Sequence, residues 1–132
     1  MRIAFFNPQG NFDKESSRLT EHPDFGGQLI YVREVAMELS KLGVDVDIFT
    51  RKIVDDHWPE FMGDFDSYEG YDNLRIIRIP FGGNKFLRKE LLWPYFQRLQ
   101  CQTISRHFRH SLHIYNYWWF FWRYSGILSN VF

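Results

Sequence analysis

Leu29-Ile30-Tyr31-Val32-Arg33-Glu34-Val35-Ala36-Met37-Glu38-Leu39-Ser40-Lys41-Leu42-Gly43-Val44-Asp45-Val46-Asp47-Ile48-Phe49-Thr50-Arg51 is the stretch that decides the fold of this chain. Its apolar residues Leu29, Val32, Ala36, Leu39 and Leu42 recur at three- and four-residue steps, with Arg33, Glu34, Glu38 and Lys41 on the other face. That spacing predicts an amphipathic helix beginning near Gly27. Gly43 follows as the expected C-terminal cap. Val44, Val46 and Ile48 then alternate with Asp45 and Asp47 ahead of Phe49-Thr50-Arg51, which is the period of a strand. Upstream, Ile3-Ala4-Phe5-Phe6 is apolar without alternation, as in a strand covered on both faces. Strand, helix, short glycine turn and strand make a βαβ unit, so the expected class is α/β with a parallel sheet and residues 3–6 as a central strand.

The first strand reaches the helix through residues 7 to about 25. This connection carries Pro8, Gly10, Asn11, Asp13, Ser16, Ser17 and Pro23 and is much longer than the usual βα loop. Loops leaving the carboxyl ends of strands in an open α/β sheet line the ligand crevice, so its place favours function. It closes on Glu21-His22-Pro23-Asp24-Phe25-Gly26-Gly27-Gln28. Two glycines allow a tight turn and close approach of a ligand, and the unpaired amides of a helical first turn suit an anion such as a phosphate. The same pair is also an ordinary turn ahead of a helix. Glu21 and Asp24 could do acid/base work or simply form turns.

Downstream, residues 52–73 are rich in Asp, Glu and Gly with scattered aromatics, and little regular structure is expected there. Leu74-Arg75-Ile76-Ile77-Arg78-Ile79 restores a strand, stopped by Pro80 and the Gly82-Gly83 turn. Lys85, Arg88 and Lys89 cluster in the following loop, again at the carboxyl end of a strand. Residues 91–110 are expected to be helical, with Pro94 in the first turn and Leu99, Ile104 and Phe108 on the buried side. Leu112-His113-Ile114-Tyr115 is a candidate fourth strand. Eight of the ten residues from 115 to 124 are aromatic, a run with neither helical nor strand period.

Composition narrows the function classes. The chain has 132 residues, one domain or part of one, and is 45% hydrophobic and 20% aromatic, ample for a core. Sixteen basic and sixteen acidic residues cancel, so no global field attracts nucleic acid or an anionic membrane, and any anion site is local. The single Cys101 allows no internal disulfide, and no apolar run reaches the roughly 18 residues of a membrane span. The expected setting is soluble and cytoplasmic. Neither a Gly-x-x-x-x-Gly-Lys-Ser/Thr loop nor a Gly-x-Gly-x-x-Gly after the first strand is present. No Gly-x-Ser-x-Gly elbow occurs, and the five histidines make no zinc spacing with Cys101.

Several motifs occur together in order: Asn7-Pro8-Gln9-Gly10-Asn11-Phe12, Glu21 through Val32, Thr50-Arg51, Trp58-Pro59-Glu60-Phe61, and Arg78 through Glu90. Over residues 1 to about 100 the chain resembles the N-terminal domain of sucrose-phosphate synthase and its bacterial relatives among the retaining GT-B glycosyltransferases. The resemblance implies a Rossmann-like parallel sheet forming an incomplete N-terminal half of a GT-B fold. It also implies transfer of glucose from a nucleotide sugar, UDP-glucose, to fructose 6-phosphate, without a bound cofactor or metal. In such enzymes the N-terminal half holds the acceptor. By position, Gly26 and Gln28 would contact the acceptor sugar phosphate, Gly27 would lie close to the donor phosphates, and Lys89 would help neutralise the acceptor phosphate.

The family continues into a C-terminal domain carrying the nucleotide-sugar site, so a partner domain is expected for the sugar-phosphate acceptor and the nucleotide-sugar donor to be held together. Nucleic acid and membrane are not expected partners. Residues 1–114 are expected to be the acceptor-side domain and residues 115–132 an atypical tail. After His113 the family shows a strand and an Asp-Gly-Gly-type turn, whereas this chain has Tyr117-Trp118-Trp119-Phe120-Phe121-Trp122, the pattern of a frameshifted reading. A non-catalytic sugar-phosphate binding module derived from the domain, or a sucrose synthase-like fragment, is the alternative function.

Overall fold

The computed structural model describes residues 1–9, 12–14, 27–83, 85–95 and 113–116. Strand β1 (Arg2–Asn7) leads to helix α1 (Gly27–Lys41), strand β2 (Asp45–Arg51), a short strand β3 (Phe65–Ser67), strand β4 (Leu74–Ile79) and strand β5 (His113–Asn116). They form one five-stranded sheet in the order β3-β4-β2-β1-β5. β1 pairs in parallel with β2 and β5, β2 pairs in parallel with β4, and β3 is antiparallel to β4 at the edge. The expected α/β class and the central place of residues 3–6 in a largely parallel sheet hold. β5 fulfils the candidate fourth strand and runs from residue 113 through residue 116.

α1 forms where the apolar spacing places it. Leu29, Val32 and Ala36 face Ile3, Phe5, Val46, Ile48, Leu74 and Ile76 in the first core cluster. The helix ends as a Schellman motif: the Val44 amide donates to the Leu39 carbonyl at 3.1 Å and the Gly43 amide to the Ser40 carbonyl at 2.9 Å, with Gly43 at φ +80. Leu42 is a correction, being 78% exposed because it lies in the turn beyond the last helical residue. Ser40 takes the inward place and hydrogen-bonds the Asn73 side chain, whose Nδ2 donates to the Ser40 and Val44 carbonyls at 3.0 and 2.7 Å.

Nearly the whole of β2 is buried, although its apolar residues alternate with Asp45 and Asp47. Asp47 is kept inside by Arg75, which holds both its carboxylate oxygens at 2.7 and 2.9 Å. On this second face Phe49 packs with Ala4, Ile77, Ile79, Phe81 and Leu92 and stacks on Phe6, ring centroids 5.1 Å apart. Residues 52–73 are more ordered than their composition implied, with a 3-10 turn at Pro59–Phe61 and β3 completing the sheet edge. The described start of the expected 91–110 helix is instead two 3-10 turns, Lys89–Leu91 and Trp93–Tyr95. Pro94 lacks the amide that a continuing helix would use, and Leu92 anchors the segment in the core. Leu99, Ile104 and Phe108 lie outside the described residues, as do residues 117–132 of the aromatic tail.

Candidate functional site

Connections from β1 lead to β2 on one side, and β5 lies on the other, so the crossovers change direction at β1. Open α/β sheets bind ligands at that place, outside the carboxyl ends of the strands. Because β1 and β2 are parallel, α1 runs back across the sheet and its first turn lies at the same edge. No acidic residue occupies that turn, which leaves the positive end of the helix dipole uncompensated by its own side chains.

The edge carries a row of buried polar groups. Asn7 is in register with Thr50, and Thr50 with Arg78, so the three share the α1 face in adjacent strands. All are at most 3% exposed. Asn7 Nδ2, Thr50 Oγ1 and Arg78 Nε have no hydrogen-bond partner among the described residues. The rest of the Arg78 guanidinium is well used: it pairs with Asp66 and donates to the carbonyls of Phe12 at 2.7 Å and Gly63 at 3.3 Å. These bonds tie Phe12 and Gly63 to β4, with Phe12 seated in the first core cluster.

On the opposite face, Arg51 ends β2 and is wholly buried. Its Nη2 donates to the Lys85 carbonyl at 2.7 Å, and burial draws its pKa down to about 10. Nearby, Asp55 accepts from the His57 amide at 3.2 Å and meets His57 Nδ1 at 3.0 Å, which holds its carboxyl below the usual range. The His57 side chain is exposed. Tyr68, buried in the first core cluster, has its hydroxyl pushed well above the ordinary tyrosine range by desolvation.

The expected site residues fall as follows. Gly27 is the first residue of α1 and exposed, and an added Cβ there would meet nothing within 4 Å among the described residues. Gln28 follows it, also exposed. Lys89 opens a 3-10 turn in the segment after β4. The structure thus brings Gly27 and Gln28 together on the α1 face, while the Lys89 segment leaves the same edge and packs Leu87 and Leu92 on the opposite face. Gly26, Glu21 and Asp24 lie outside the described residues. Reading of the residue pattern missed Asn7, Thr50, Arg51 and Arg78 as edge groups. The available signal was a polar residue closing each apolar strand.

No family model matches the chain. A "Probable sucrose-phosphate synthase" of Thermosipho melanesiensis is 67% identical over 95 residues, covering 72% of this chain and 22% of the relative. Over that segment the chain is a homologue of sucrose-phosphate synthases. It spans only about a fifth of that relative's length. A mannosylfructose-phosphate synthase of Agrobacterium fabrum is 44% identical over 69 residues, 52% of this chain and 13% of its own length. Among solved structures, a sucrose-phosphate synthase of Thermosynechococcus elongatus superposes with a TM-score of 0.60 at 25% identity, over 86% of this chain and 26% of its own.

Proposed function

We propose that this chain is the acceptor-side portion of a retaining glycosyltransferase that moves glucose from UDP-glucose to fructose 6-phosphate. The observation that carries the reading is the likeness to two kinds of synthase at once. By their names, the products of sucrose-phosphate synthase and mannosylfructose-phosphate synthase differ in the hexose joined to fructose and share a fructose unit and a phosphate. A segment common to both is suited to the shared half, the acceptor. The donor site then belongs to the portion of the protein that the relatives have beyond this segment.

In this reading the acceptor sits at the carboxyl edge of the sheet. The α1 first turn offers amides at the positive end of a dipole, and its lack of acidic side chains favours a dianionic phosphate. Gly26 and Gln28 contact the sugar phosphate, Gln28 supplying both a donor and an acceptor to the sugar hydroxyls. Gly27, with no side chain, admits the donor phosphates closely. Lys89 neutralises the acceptor phosphate from the segment after β4. Charge on the departing nucleotide is stabilised by helix dipoles and cationic side chains, with no resident metal required. A cytoplasmic setting is part of this reading, and no helix among the described residues is long and apolar enough to cross a membrane.

Grafting residues 1–95 in place of the matching segment of the Thermosipho melanesiensis relative tests the reaction. The graft is expected to form sucrose phosphate from UDP-glucose and fructose 6-phosphate. Gln28→Ala and Lys89→Ala in that graft should each weaken acceptor binding by roughly 1.5–3 kcal/mol, the worth of a charge-assisted contact. A folded graft that makes no sucrose phosphate, or one whose acceptor KM ignores both substitutions, overturns the assignment. Sugar-phosphate binding without transfer would instead favour a non-catalytic module.

A further inference from the structure

Arg51 is the largest fully buried side chain among the described residues, and nothing in the acceptor site as drawn explains it. A guanidinium withdrawn from water is costly unless its N–H groups and charge are answered. Here Nε and Nη1 have no partner, and no carboxylate pairs with the group among the described residues. Its one side-chain hydrogen bond among the described residues runs from Nη2 to the carbonyl of Lys85, 34 residues away in sequence.

That bond has a particular place. The segment after β4 leaves the sheet through Gly82 and Gly83, both at positive φ, +69 and +86. Lys85 follows, then Arg88, and the Leu91 amide closes a turn on the Arg88 carbonyl at 2.9 Å around Lys89. A glycine pair is a permissive hinge, and the Arg51 bond catches the chain just beyond it. The anchor comes from the end of β2, itself held between β1 and β4 in the centre of the sheet.

We propose that Arg51 is a positioning residue for acceptor phosphate binding: through the Lys85 carbonyl it holds the cationic segment from Lys85 to Lys89 at the carboxyl edge of the sheet. The inference rests on the acceptor-site reading of Lys89 given above. Its charge, unanswered by any carboxylate among the described residues, also adds attraction for an anion over that edge, stronger in a desolvated setting than in water. Lysine is a poor substitute for such an anchor, since it has a single flexible head in place of a planar fork.

Amide hydrogen exchange and calorimetry on the chain with Arg51→Met and Arg51→Lys test this. In Arg51→Met the amides of residues 86–91 are expected to exchange about tenfold faster while those of β1 and β2 keep their protection, the signature of a lost local anchor. Fructose 6-phosphate affinity should fall about tenfold, the equivalent of one hydrogen bond, with affinity for fructose unchanged. Arg51→Lys should recover part of the phosphate affinity by restoring the charge, and it serves alone if the methionine variant does not fold. Unaltered exchange at 86–91, or faster exchange spread evenly over the sheet, overturns the proposal. If the unsubstituted chain ignores fructose 6-phosphate, the acceptor reading fails while the exchange result still decides whether Arg51 holds the segment.

Discussion

Gly27 separates a structural glycine from a ligand-driven one. It opens α1 without a positive φ, and a methyl group there meets nothing within 4 Å among the described residues. Among the described residues neither its conformation nor packing demands glycine, which fits the proposed close approach of a ligand. Gly27→Ala should leave thermal stability unchanged or raise it by up to about 1 kcal/mol, since alanine is the better helix former. The same substitution should weaken binding of phosphate-bearing ligands measured by calorimetry. A variant that binds normally would make the glycine incidental. Tyr68 gives a second prediction at this scale. Its hydroxyl pKa is raised in the folded chain by burial, so the folded state disfavours the phenolate. The associated stability is fully present below the unfolded value near 10 and is lost as pH rises above it, by up to about 1.4 kcal/mol per pH unit. Thermal melts from pH 8 to 11 should show this alkaline decline, and Tyr68→Phe should flatten it. An identical decline in both would place its cause elsewhere.

The elements were legible where one physical demand dominates. The three- and four-residue spacing of Leu29, Val32 and Ala36 states the helix, and Gly43 states its end. Asn73 was silent in the sequence because its work is tertiary: one side chain ties the helix C-terminus, the following turn and the start of β4 through Ser40 and Val44. Asn73→Ala should therefore cost about 1–3 kcal/mol in denaturant unfolding, from carbonyls left buried without their donor. A cost within a few tenths would mean water replaces the amide. β2 hid a partner for a related reason. Asp47 alternates with apolar residues yet stays inside because of a bidentate Arg75, and no periodicity encodes a partner 28 residues away. β3 is only three residues long, stabilised by pairing with β4 rather than by its own pattern. The edge groups Asn7, Thr50 and Arg51 likewise gain their meaning only from strand register.

At the scale of the molecule, β1 is where the crossovers reverse, and the long β1 loop, the α1 first turn and the basic segment after β4 all leave one edge of one sheet. The sheet and its central strand could be read from two apolar runs and a helix between them, and the place of the candidate site follows from topology. The roles proposed for Gly26, Gln28 and Lys89 rest on motif resemblance, because glycine pairs and lysines in loops have too many uses to name a ligand. In the proposed reading this segment carries the acceptor half of the site. Calorimetric titration of the chain with fructose 6-phosphate, against fructose and inorganic phosphate, tests it most directly. Saturable binding of the sugar phosphate, tighter than either control, is expected. A chain with folded α/β circular dichroism that binds fructose 6-phosphate no better than inorganic phosphate would contradict it.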